Sequence, residues 1–123
     1  LDVCAKVPRE RFVPEDYRQL AFSDTAIDIG HGQAMMPPKI EARLLQALDV
    51  QRTDRVLEIG TGSGYLTALL ATLAAHVTSI EFFEDLSTRA KHHLRAAGIA
   101  NVALHVGDEL DGWSAAEPYD VIV

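Results

Sequence analysis

From Asp54 onward, short β-branched and apolar runs alternate with longer stretches in which apolar residues recur three or four positions apart. That alternation predicts a parallel sheet with crossover helices. Val56 to Ile59 reads as a first strand, about Tyr65 to Ala74 as a helix and His76 to Ile80 as a second strand. Leu86, Ala90, Leu94 and Ala97 keep helical spacing, so a second helix is expected from about Glu84 to Ala97 with that stripe on the sheet, ended by Gly98. Val102 to Val106 gives a third strand and Tyr119 to Val123 the start of a fourth. Before Asp54 the texture differs. Pro8, Pro14, Pro37 and Pro38 break the chain into short pieces, followed by a helix from about Pro38 to Ala47 with Ile40, Leu44 and Leu48 as its apolar face. Residues 1–50 are therefore expected to cap a core formed by residues 51–123.

Composition narrows the class. A chain of 123 residues with 48% hydrophobic and 24% charged residues matches one soluble globular domain. The formal net charge of -7 argues against a large nonspecific hold on nucleic acid, which needs Lys and Arg to neutralise phosphates. Cys4 stands alone and cannot form an internal disulfide, no Cys/His cluster has zinc-site spacing, and no apolar run reaches bilayer length. A reducing cytoplasmic setting fits. The chain opens at Leu1 and stops inside what reads as a buried strand, so it is expected to be a piece of a longer protein.

The chemistry concentrates after the first strand. Gly60, Gly62 and Gly64 alternate between a strand and a helix, where glycine allows positive φ and close backbone approach to a nucleotide-like ligand. A tight turn without a ligand is the plainer alternative. Two acids raise the stakes. Glu81 ends the second strand, placed to accept ribose hydroxyls, and Gly107-Asp108 ends the third, placed to meet an adenine amino group. The spacing Gly60-Thr61-Gly62-Ser63-Gly64 lacks the pyrophosphate fingerprint, and no Gly-Lys-Ser/Thr follows, so neither a dinucleotide nor a P-loop ligand is favoured. Glu58, two residues before Gly60, would favour a sulfonium and an ammonium, as S-adenosylmethionine carries.

These residues resemble a family. Val56-Leu57-Glu58-Ile59-Gly60-Thr61-Gly62-Ser63-Gly64-Tyr65 looks like the cofactor loop of protein-L-isoaspartate O-methyltransferases. Val7-Pro8-Arg9-Glu10-Arg11-Phe12-Val13-Pro14 resembles that family's N-terminal signature, and Gly30-His31-Gly32-Gln33 with Pro38 its substrate loop. Asn101-Val102, Gly107-Asp108, Gly112-Trp113 and Pro118-Tyr119-Asp120 follow in the family's order. The resemblance implies a Rossmann-like α/β fold, a parallel sheet with helices on both faces, cut short after the fourth strand. It implies methyl transfer from S-adenosylmethionine to the α-carboxylate of L-isoaspartyl residues in damaged proteins. Glu58, Gly60, Thr61, Gly62, Gly64, Glu81, Gly107 and Asp108 would then bind the cofactor, with Gln33 and Met36 at the catalytic positions. The chain departs from the family's substrate loop at two of those places: Ala34 stands for a threonine and Met36 for a serine, so both hydroxyls are missing. A methyltransferase with another acceptor, and a noncatalytic cofactor-binding relative, therefore stay open. His31 between two glycines reads as an acid or base near neutral pH, or as an exposed loop residue.

Overall fold

The computed structural model describes residues 2–107 and 118–123. Four strands form one parallel sheet: β3 (Arg55–Ile59), β4 (His76–Glu81), β5 (Val102–Val106) and β6 (Val121–Ile122), in the order β5-β4-β3-β6. Helix α3 (Tyr65–Leu73) crosses from β3 to β4, and α4 (Glu84–Ala96) from β4 to β5. Right-handed crossovers running in one direction put both helices on the same face. The strand order reverses at β3, where the glycine loop begins.

The apolar pattern explains the core. Val56, Val77, Leu69 and Leu70 are buried, and Leu86, Ala90 and Leu94 form the buried stripe of α4, as their spacing predicts. Helix α3 is apolar around most of its circumference and buries six of its nine residues between the sheet and the N-terminal segment. Gly98 takes φ 74° just beyond α4, the left-handed geometry that ends a helix with little steric strain.

Before β3 lie helix α1 (Asp2–Lys6), two 3-10 segments at Arg9–Phe12 and Glu15–Leu20, a hairpin of β1 (Ile27–Gly30) and β2 (Gln33–Met35), and helix α2 (Pro38–Leu48). Helix α1 meets α3, and the Arg9–Phe12 segment meets α4. The apolar face read for α2 needs correction: Ile40 is 44% exposed, whereas Glu41 and Leu45 are the buried positions. An ion pair causes this. Arg9, itself 2% exposed, binds Glu41 and donates through Nη2 to the Met36 carbonyl at 3.0 Å. Its guanidinium lies 4.8 Å from the centre of the Tyr65 ring. A charge at position 41 is thus drawn inward by a cation 32 residues away, and the helix rotates its apolar stripe accordingly. No helix among the described residues is long and apolar enough to cross a membrane.

Candidate functional site

Parallel register builds the centre of the site. Glu58 on β3 pairs with Ser79 on β4, so their side chains project from neighbouring positions on one face of the sheet. Glu58 is 1% exposed, and its Oε1 accepts hydrogen bonds from Thr67 Oγ1 on α3 and from Ser79 Oγ at 2.7 Å. Thr61 Oγ1 lies 2.6 Å from Ser79 Oγ. Because the Ser79 proton is committed to Glu58, Thr61 must donate, giving a directed chain from Thr61 through Ser79 to Glu58. The other oxygen of Glu58, Oε2, is buried and has no hydrogen-bond partner among the described residues. Burial is the largest influence on this carboxyl and pushes it up to about 7, against the two hydroxyl hydrogen bonds, while Glu41 and Glu81 reinforce the rise.

The glycine loop is braced from three sides. Gly60 donates its amide to the Ile80 carbonyl at 2.8 Å, Gly62 donates to Glu81 Oε1 at 2.8 Å, and His93 on α4 binds the Ser63 carbonyl through Nδ1 at 3.0 Å. Glu81 Oε2 accepts from the Phe83 amide at 3.0 Å, so each of its oxygens holds backbone. Gly62 and Gly64 have φ of 57° and 90°, and a Cβ on Gly64 would sit 3.0 Å from Ala90 Cβ. Gly64→Ala combines left-handed strain with a steric clash against α4. It is expected to destabilise the protein by roughly 3 kcal/mol, read as a lower urea midpoint at unchanged slope. An unchanged midpoint would mean that α4 yields to the methyl group.

A cavity of about 80 Å³ opens beside this loop, lined among others by Ala34, Met35, Met36, Glu58, Gly60 and Thr61. Of the residues singled out by sequence, Glu58, Gly60, Thr61, Gly62 and Met36 therefore meet around one space. Glu81 joins them through the Gly62 amide, and Gly107 donates its amide to the Glu81 carbonyl at 2.9 Å. Gly64 lies at the start of α3, facing α4 rather than the cavity. Gln33 is exposed on β2 and does not line this cavity. Asp108, Gly112 and Trp113 lie outside the described residues.

Reading the sequence missed four contributors: Arg9, Thr67, Ser79 and His93. Thr67 carried a usable signal, a hydroxyl inside an otherwise apolar helical run; the others depend on tertiary pairing. His31 is an exposed residue of the turn between β1 and β2, as one of its two readings expects, and does not line the cavity. Its ring stacks on Phe83 with centroids 4.1 Å apart, and its Nε2 lies 2.8 Å from Asp85 Oδ1. The hydrogen bond from His31 holds the Asp85 carboxyl below its usual range.

The sequence profile described as protein-L-isoaspartate(D-aspartate) O-methyltransferase matches residues 1–123, the whole chain. The chain belongs to this family. It is 46% identical over 123 residues to the protein-L-isoaspartate O-methyltransferase of Dictyoglomus turgidum, covering all of this chain and 56% of that one. It is 49% identical over 117 residues to that of Opitutus terrae, covering 95% of this chain and 50% of the relative. A solved protein-L-isoaspartate O-methyltransferase superposes with a TM-score of 0.85 at 27% identity, over 98% of this chain and 41% of that one. The chain spans about half the length of the curated relatives it matches. The Rossmann-like α/β architecture and the family expected from the motifs are thus both observed.

Proposed function

We propose that the whole protein methylates the α-carboxylate of L-isoaspartyl residues in damaged proteins, with S-adenosylmethionine as donor, and that residues of this chain hold the donor. The observation that carries this reading is Oε2 of Glu58, buried and without a hydrogen-bond partner among the described residues, in a residue that lines the glycine-loop cavity. A buried carboxylate oxygen without a donor calls for one, and the ammonium of the cofactor's amino-acid end fits it in charge and hydrogen bonding. Bound S-adenosylmethionine would supply an electrophilic methyl group on a sulfonium.

The protein's own part is placement. Gly60, Thr61, Gly62 and Gly64 shape the backbone around the amino-acid end, Glu81 accepts ribose hydroxyls, and Gly107 with Asp108 addresses the adenine. Each Glu81 oxygen keeps a lone pair after its backbone bond, so ribose need not displace the loop. Gln33 and Met36 flank the acceptor. An isoaspartyl carboxylate is already ionised at neutral pH, so no strong general base is required and alignment of nucleophile with methyl carbon supplies most of the acceleration.

Calorimetric titration of S-adenosylmethionine, followed by methyl transfer to an isoaspartyl peptide, tests the reading; a folded sample that binds no cofactor would overturn it. One feature favours a second reading with another acceptor: Ala34 and Met36 present no hydroxyl where they line the cavity. Met36→Ser is expected to raise isoaspartyl transfer on the order of 100-fold, the scale of one donor to developing charge. If Met36→Ser leaves that rate unchanged and lowers transfer to another carboxylate or hydroxyl acceptor, the second reading stands.

A further inference from the structure

We infer that Ser79 and Thr67 are positioning residues for cofactor binding: their hydroxyls hold Oε1 of Glu58 and leave its other oxygen for the cationic end of the cofactor. The inference rests on the cofactor reading above. It begins from an asymmetry. Two donors converge on Oε1, from β4 and from α3, while Oε2 has none among the described residues. A carboxylate placed for structure alone is expected to have both oxygens satisfied. Glu81, one residue beyond Ile80 on β4, shows the contrast, with a backbone amide on each oxygen whatever else it accepts.

The geometry makes Ser79 the junction. Register puts it beside Glu58, and Thr61 of the glycine loop donates to it, so the loop and the carboxylate are tied through one buried hydroxyl at 0% exposure. The charges facing Glu58 oppose its ionisation: Glu41 on α2 and Glu81 on β4 are both acidic, and the nearby cation Arg9 is engaged by Glu41. Thr67 and Ser79 are therefore the groups that favour the ionised form before the cofactor arrives. Removing either hydroxyl weakens binding only where Glu58 then fails to ionise. The defect must depend on pH.

The test uses the full chain in four forms: wild type, Ser79→Ala, the isosteric Thr67→Val and the hydroxyl-bearing Thr67→Ser. Glu58 is titrated by carbon NMR without cofactor, and S-adenosylmethionine affinity is measured by calorimetry from about pH 6 to about pH 9, bracketing ionisation. Both variants are expected to move Glu58 ionisation upward by about one pH unit. The affinity profile should move with it: up to roughly tenfold weaker binding near neutral pH and wild-type affinity at the alkaline end. Thr67→Ser should restore both. An affinity loss that is equal at every pH, or a shifted Glu58 titration with unchanged binding, would overturn the inference. Wild-type protein that binds no S-adenosylmethionine at any pH would instead bring down the cofactor reading, and this inference with it. The cofactor-free titration separates that result from a failure of the hydroxyl coupling.

Discussion

Glu58→Gln is expected to bind S-adenosylmethionine about 100-fold more weakly than wild type and yet to be the more stable protein at alkaline pH. The affinity loss follows from replacing a charge-assisted contact to an ammonium by a neutral one inside a buried site. The stability gain follows from burial. Glu58 is pushed from 4.5 up to about 7, chiefly by desolvation. A carboxyl raised in the folded state contributes stability that is fully present below its unfolded value and is lost as pH rises through the folded one. The wild type should therefore weaken between about pH 4.5 and pH 7 and stay weaker above, by roughly 3 kcal/mol at about 1.4 kcal/mol per pH unit. Denaturant unfolding at about pH 5 and about pH 8 checks this: the two proteins should converge at the acid end and separate at the alkaline end, with the Glu58→Gln variant ahead. A wild type whose stability rises across that interval would show that Glu58 is already ionised in the folded protein.

Arg9→Met carries the second large effect, on stability. Arg9 and Glu41 are both buried, and Arg9 also bonds the carbonyls of Ala21 and Met36. Removing the cation leaves a carboxylate buried without compensation, which typically destabilises by about 3–5 kcal/mol. Against a total of about 5–15 kcal/mol for a domain, this is close to unfolding at physiological temperature. Burial already raises the Glu41 carboxyl, with Arg9 opposing the rise, so the variant should take up a proton there and be steadier in acid than in alkali. Adding Glu41→Gln should return most of the loss, because the penalty belongs to the orphaned charge more than to the pair. Thermal unfolding of the single and double variants decides it: equal losses would place the effect in the packing against Tyr65 instead.

What the sequence made legible follows from distance along the chain. The strands, α3 and α4 were readable because their apolar spacing is local, and the glycine loop because Glu58 to Tyr65 are contiguous. Glu81 was readable through its fixed separation from that loop. The hairpin of β1 and β2 was not, since strands of four and three residues around Gly30, His31 and Gly32, all at positive φ, give too short an alternation to distinguish from a loop. The inner face of α2 was misjudged for a different reason. Periodicity assigns a glutamate to solvent, and only a folded chain reveals that Arg9 waits for Glu41. Ser79 and His93 were silent for the same reason, one needing the register of β3 against β4 and the other the approach of α4 to the loop.

Glu81 is also a point where two demands on one side chain are fused. The carboxylate that faces the proposed ribose is the clasp on the Gly62 amide and on the turn into α4. A change at this position cannot trade affinity for shape, because the same two oxygens serve both. Drift there has no gradual route: aspartate shortens the clasp, glutamine discards the charge, and either alteration reaches the loop and the ligand together. Positions of this kind set the limits within which a lineage can explore new acceptors, leaving the hairpin residues around Ala34 and Met36, which carry no such double duty, as the freer ground.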